Sequence, residues 1–302
     1  MKKPRGLSDD FLKELQKGFL APLHERVRKD PTLCMEVRED YVNIYYRGGN
    51  LLKVAQAPGG YSAAFDPNYF KGAAAPLAGL PSVIQSLTDV ESWLAAFPQM
   101  KDAIDVFPKH SVEREVQQIL VADNNRWGAA RASDYFICDI EYANEFGRFD
   151  FVAVHWPSRP SDRKQAAGRR LVLGEVKYAD SALKGKAGLR EHVVGANEFL
   201  KDPSRVEALK DEMVRIFNQK RSLGLIECGK DLAGFSDEKP VLLLVLANHD
   251  PDKSALCGLL SELPDCPNAD VRVASASLMG YGLFKPAVLS VEQALERIER
   301  KA

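Results

Sequence analysis

Arg148-Phe-Asp-Phe-Val-Ala-Val-His-Trp156 and Leu171-Val-Leu-Gly-Glu-Val-Lys-Tyr178 are the stretches on which the reading of this chain turns. Both are rich in β-branched and aromatic residues and read as strands. Side chains alternate along a strand with a period of two. Asp150 therefore shares a face with Val152 and Val154, while Glu175 and Lys177 continue the line of Leu171 and Leu173. A carboxylate on an apolar strand face is costly unless something pairs with it. If the two strands are neighbours, two carboxylates and an ammonium converge at one end of a sheet.

The flanking sequence supplies the rest of a domain. Upstream, Ser111 caps a helix with the inner stripe Val112, Val116, Ile119 and Leu120. A strand over Tyr135–Asn144 and a turn at Phe146-Gly147 complete a hairpin with Arg148–Trp156. Downstream, a helical region covers 188–221 with a break at Pro203, and Val241–Ala247 is a wholly apolar run, as expected of a strand buried on both faces. Asp270–Leu278 is a further strand candidate, and Ser290 opens a closing helix. Helix, three strands, helix, strand is the order of an α/β domain, a mixed sheet with helices packed on it. We assign it residues 109–302.

Residues 1–108 form a smaller α+β unit. The spacing of Phe11, Leu12, Leu15, Phe19 and Leu20 after Ser8 predicts one helix over 8–29. Strand pairs follow between Leu33 and Tyr46, and Gly48-Gly49 makes a tight turn into Leu51–Val54. The Gly-, Pro- and Ala-rich stretch 57–81 reads as loop, and 87–107 as helical with an interruption near Pro98.

Composition excludes several classes. The chain has 302 residues, 45% hydrophobic and 27% charged, which is globular composition. No apolar run approaches the ~20 residues of a membrane span, and the basic start has no signal-type apolar stretch. A cytoplasmic protein without a membrane anchor is expected. Cys34, Cys138, Cys228, Cys257 and Cys266 are odd in number and show no zinc spacing. A net charge of −1 does not suit a protein that coats nucleic acid, but leaves room for a local basic groove. Neither a Gly-x-Ser-x-Gly elbow nor a Walker loop is present. The sequence leaves homo-oligomerisation open.

Two carboxylates beside an amine suit a hard divalent ion, which prefers oxygen ligands and leaves coordination places to water and phosphate. The amine would orient an attacking water or stabilise charge on a phosphate in the transition state. Asp150, a linker, then Glu175-Val176-Lys177 on an apolar strand resemble the PD-(D/E)XK nuclease superfamily, with Phe149 where the pattern has proline. Residues 110–248 have the order of its core. The resemblance implies a restriction-endonuclease-like mixed sheet flanked by helices. It implies Mg2+, or Mn2+ in its place, held by Asp150 and Glu175 with the carbonyl of Val176. It makes Lys177 the motif lysine and Glu113, in preference to Glu115, a further acid from the first core helix. His192 is the candidate for a polar residue added by the following helix.

The implied activity is phosphodiester hydrolysis, of DNA in the leading reading; RNA cleavage and a catalytically silent binding or assembly module stay as alternatives. Basic residues on either side of the motif, Arg169 and Arg170 before it and Lys184 and Lys186 after it, are expected to contact substrate phosphates. Tyr41, Tyr45, Tyr46, Arg47 and Lys53 offer either stacking on nucleic acid or ordinary strand packing.

Overall fold

In the computed structural model of the chain, residues 5–70, 79–107, 111–126, 128–178, 182–185, 188–247, 254–276 and 288–300 are described. The chain divides into two compact units, residues 1–118 with 218–225 and residues 119–217 with 226–302. The division follows Gln118, not residue 108, and a short downstream segment belongs with the first unit.

The first unit opens with helices α1 (Asp9–Lys17) and α2 (Ala21–Lys29) in place of one continuous helix. Gly18 separates them. A Cβ there would sit 2.0 Å from Glu14 Oε2, and that carboxylate accepts the amide of Phe19 at 3.1 Å. The Glu14 side chain closes the end of α1 in space that only glycine leaves. Strands β1 (Leu33–Val37), β2 (Tyr41–Tyr46), β3 (Gly49–Ala57), β4 (Gly60–Ala64) and β5 (Val83–Ile84) form an antiparallel sheet in that order. β4 lies in the stretch expected to be loop; Pro58 and Gly59, the latter at φ +79°, make a two-residue turn of type II chemistry.

The β2–β3 turn is centred on Arg47 (φ +43°) and Gly48 (φ +80°), one residue earlier than expected. Two left-handed residues give the hairpin the right twist. For Arg47 that backbone costs about 1–2 kcal/mol. Its guanidinium bonds Asp105 at 2.8 Å and Glu115 at 2.9 Å, which holds the turn in place.

Helix α3 (Leu87–Asp105) begins with a Ser86/Asp89 capping box and runs through Pro98 without a break. A mid-helix proline costs ~3 kcal/mol. Val90, Trp93, Phe97, Met100 and Ile104 share a core with Phe11, Leu15, Val42, Ile44 and Leu52, and each such burial stabilises by roughly 1.5–3 kcal/mol. Burial wins. Residues 218–225 complete this unit: Leu223 and Leu225 join the core, and Gln219 exchanges two 2.8 Å hydrogen bonds with the main chain of Leu7. Lys220 Nζ lies 2.8 Å from Glu36 Oε1, both side chains 0% exposed. His24 Nε2 meets the Leu223 carbonyl at 2.5 Å.

Helix α4 (Val112–Asn125) contains the division between the units. Its buried residues include Val116, Leu120 and Val121, but Val112 is 38% exposed, so the stripe sits further along than the sequence predicts. After α5 (Ala129–Ala132) come β6 (Tyr135–Ala143), β7 (Arg148–His155), α6 (Pro160–Arg163) and β8 (Arg170–Tyr178). Next are α7 (Leu189–Leu200), α8 (Pro203–Ser222), β9 (Val241–Ala247) and α9 (Ser254–Ser261). The chain closes with β10 (Asp270–Ala276), β11 (Val288–Ser290) and α10 (Val291–Glu299).

The second unit is a mixed α/β structure whose six-stranded sheet has the order β11-β10-β9-β8-β7-β6. β6, β7 and β8 are antiparallel neighbours, β8, β9 and β10 run parallel, and β11 is antiparallel to β10. Val152, Val154, Leu171, Leu173, Leu242 and Leu244 share a core with Val193, Phe199, Met213 and Phe217 of α7 and α8. Their alternates Phe151, Ala153, Val172, Leu243 and Val245 are 0% exposed, so the sheet is covered on both sides. Near the start of β6, the Asn125 side chain bonds both the amide and the carbonyl of Ile137 at 2.8 Å. There the β6–β7 register shifts between Ile137 and Asp139. No helix among the described residues is long and apolar enough to cross a membrane.

Candidate functional site

The β7–β8 ladder ends at the pair Phe151–Gly174. One residue further out, the carboxylate of Asp150 replaces the missing strand partner: its Oδ2 accepts the amide of Val176 at 2.8 Å. Asp150 is thereby tied to the main chain between Glu175 and Lys177. Gly174 lets the strands close up at this point. A Cβ on it would lie 2.1 Å from Phe151 Cζ, inside the ring's own volume.

Glu175 and Lys177 extend the apolar line of β8, and their partners on β9 are Leu244 and Leu246. Both are buried, at 3% and 4% exposure. In this setting a lone charge would be costly, and each satisfies the other: Lys177 Nζ donates to Glu175 Oε1 at 2.6 Å. Helix α7 brings a third group. Leu189, Val193, Ala196 and Leu200 are its buried stripe, which fixes the roll of the helix and turns His192 towards the pair. His192 Nε2 lies 2.9 Å from Glu175 Oε1 and 3.2 Å from Lys177 Nζ. One ring nitrogen cannot serve both contacts at once. Protonated, it donates to Glu175; unprotonated, it accepts from Lys177.

Thus Asp150, Glu175, Val176, Lys177 and His192 meet at one place in the second unit. His192, the polar residue expected from the following helix, bonds two of the motif side chains. Glu113 lies half-buried in the first turn of α4 and belongs to the first unit. Among the described residues no group of three or more His, Cys, Asp or Glu is placed to hold a metal ion. The oxygen donors here are two carboxylates.

The basic residues separate. Arg170 starts β8 and Lys177 lies near its end, seven residues or ~23 Å along a strand rising ~3.3 Å per residue, so Arg169 and Arg170 are remote from the motif. Arg169 is buried over Trp156, 5.4 Å from the ring centre, and bonds Gln165 at 3.1 Å. Arg170 bonds the Lys239 carbonyl and Asp270. Lys184 is exposed and, with Arg190, Glu191 and Glu262, lines a cleft of about 700 Å³ beside the start of α7. Lys186 lies outside the described residues. In the first unit, Tyr45 accepts hydrogen bonds from Arg38 and Asn43, Tyr46 donates to Asp105, and Lys53 stands over Tyr41 at 4.2 Å.

Sequence reading passed over Asp139, a carboxylate of β6 at 0% exposure. Its signal was the one used for Asp150, an acid within an apolar strand. The register shift beside it breaks the alternation that would have placed it. Comparison with protein-family models, with curated proteins and with solved structures gave no match to this chain.

Proposed function

We propose that this chain is a Mg2+-dependent nuclease of the PD-(D/E)XK type that hydrolyses phosphodiester bonds of DNA. The observation that carries the reading is the hydrogen bond from the Val176 amide to Asp150, which joins one acid to the segment bearing the other acid and the lysine. The arrangement of a hairpin, an antiparallel third strand, intervening helices and a parallel fourth strand supports a restriction-endonuclease-like core.

Asp150 and Glu175, with the carbonyl of Val176, would hold Mg2+ or Mn2+. The donor set fits: both side chains are hard oxygen ligands beside one main-chain segment, and Mg2+ takes one or two carboxylates with water and phosphate completing its shell. When bound, the ion supplies a more acidic water and neutralises charge on the phosphate. Lys177 has three N–H donors, two of them facing Glu175 and His192. The third serves a phosphoryl oxygen or the attacking water. His192 holds Lys177 and Glu175 in position. Lys184 is kept as a phosphate contact and Arg169 and Arg170 are not; Glu113, in the first unit, is given no part in this site.

Plasmid and linear DNA, with matched RNA, incubated with and without Mg2+ or Mn2+ test this reading. Metal-dependent cleavage of DNA that is lost in Asp150→Asn and Lys177→Ala is the expected result. Cleavage that survives both substitutions refutes these roles, and preference for RNA changes the substrate. One observation favours a silent binding module instead: Glu175 and Lys177 already neutralise each other inside the chain. In that case calorimetry shows no Mg2+ binding that depends on Asp150.

A further inference from the structure

A second cleft, of about 770 Å³, lies at the opposite end of the six-stranded sheet. Tyr135, His155 and Arg170 form one row across β6, β7 and β8, and Val241 and Arg272 extend the lining onto β9 and β10. Their sequence neighbours Phe136, Val154, Leu171, Leu242 and Val273 belong to the main core. With a period of two, the row faces the other side of the sheet. By position and by face, this cleft is separate from Asp150, Glu175 and Lys177.

All the lysine and arginine side chains that line it among the described residues are arginines: Arg159, Arg170 and Arg272, set against Asp134 and Asp162. Arg170 is committed to Asp270 and the Lys239 carbonyl. Arg272 approaches Asp270 only to 3.9 Å, too far for a hydrogen bond. The guanidinium of Arg159 has no hydrogen-bond partner among the described residues. Asp134 Oδ1 is already taken by the amide of Ser158 at 2.7 Å. Arg159 and Arg272 thus bring guanidinium donors to the cleft that no hydrogen bond among the described residues uses. Beside them His155 stands 4.9 Å from the Tyr135 ring, tilted by 39°. Burial lowers the His155 pKa below its usual value, so the imidazole offers a flat uncharged surface with one donor and one acceptor.

We propose that this cleft binds a phosphate-bearing small molecule of nucleotide size, its phosphate held by Arg159 and Arg272 and its ring lying along His155. Guanidinium forks match phosphate oxygens two at a time, which an ammonium does not. The volume falls in the 300–1,000 Å³ range of small-molecule sites; a bare phosphate would leave most of it empty. The proposal does not depend on the nuclease reading.

Calorimetric titration of the full chain with AMP, in EDTA, tests it, with adenosine and inorganic phosphate in parallel. AMP is expected to saturate one site, and adenosine and phosphate each to bind at least about tenfold more weakly, because each lacks half of the contacts. Arg272→Ala and Arg159→Ala should each lower AMP affinity by about tenfold or more. Arg159 is exposed at the start of α6, so its substitution leaves the fold intact. Asp150→Asn should leave AMP binding unchanged, which separates this site from the motif. No saturation at millimolar AMP overturns the proposal, as does an affinity indifferent to both arginine substitutions or abolished by Asp150→Asn. Phosphate binding as tightly as AMP overturns the nucleotide-sized ligand.

Discussion

Gly174→Ala is the sharpest perturbation of the site that touches none of its polar groups. The new Cβ would lie 2.1, 2.2 and 2.3 Å from three atoms of the Phe151 ring. Ordinary carbon contacts begin near roughly 3.5 Å, so the ring or the strand must retreat by more than ~1 Å. Phe151 is 0% exposed, so its ring is enclosed on all sides. Overpacking of this kind costs about 1–3 kcal/mol, and we expect the upper half of that range. The displaced ladder step is the one next to the Asp150–Val176 hydrogen bond, so the metal-dependent cleavage proposed above should fall more steeply than stability.

A double-mutant cycle in urea isolates the cause. Phe151→Leu removes the Cε and Cζ atoms that the methyl would strike. Gly174→Ala should therefore cost at most about 0.5 kcal/mol in that background, giving a coupling of about 1.5–3 kcal/mol. A single-mutant cost below about 0.5 kcal/mol, or additive costs in the double mutant, refutes the steric argument.

Two further outcomes concern other parts of the chain. Arg47→Gly and Arg47→Ala both remove the contacts to Asp105 and Glu115, but only glycine relieves the left-handed backbone. The glycine variant should be the more stable by about 1 kcal/mol in chemical denaturation; equal stabilities would show that the turn relaxes without strain. The His155 pKa is lowered from 6.5, mainly by burial, with Arg170 and Arg169 adding to the effect and Asp134 opposing it. The unfolded chain then takes up this proton first, so stability falls as pH drops below 6.5 towards the folded-state value. The imidazole resonance of His155 should titrate below 6.5, and His155→Gln should flatten the acid limb; an unchanged limb would assign that loss to other groups.

The second sheet was legible because its strands carry strong signals. Val241–Ala247 is apolar without interruption and is buried at every position, and the 148–156 stretch is apolar from Phe151 to Val154 and buried from Phe149 to Val154. The motif residues were legible as acids and an amine on apolar strands. His192 could be named only as a polar residue on the next helix, since its reach to Glu175 depends on how α7 is rolled by Val193 and Ala196. Local chemistry misled elsewhere. Glycine and proline were read as breaks in α3 and β4, where core packing and a two-residue turn prevail. At Gly18 the break is real but works through the side chain of Glu14. Arg169 and Arg170 stand near the motif in sequence, yet an extended strand carries them to its other end. β11, three residues long, is too short to show a period.

The return of residues 218–225 to the amino-terminal unit bears on any attempt to dissect this protein. A fragment ended at Gln118 would retain Glu36 in the sheet but discard the ammonium of Lys220 that neutralises it. It would also strip Leu7 of both bonds to Gln219, and His24 of the Leu223 carbonyl. Cloning boundaries drawn along the linear sequence would thus yield an incomplete fold. A separable version needs the distal octapeptide supplied by fusion or by rearranging the order in which the gene encodes its parts.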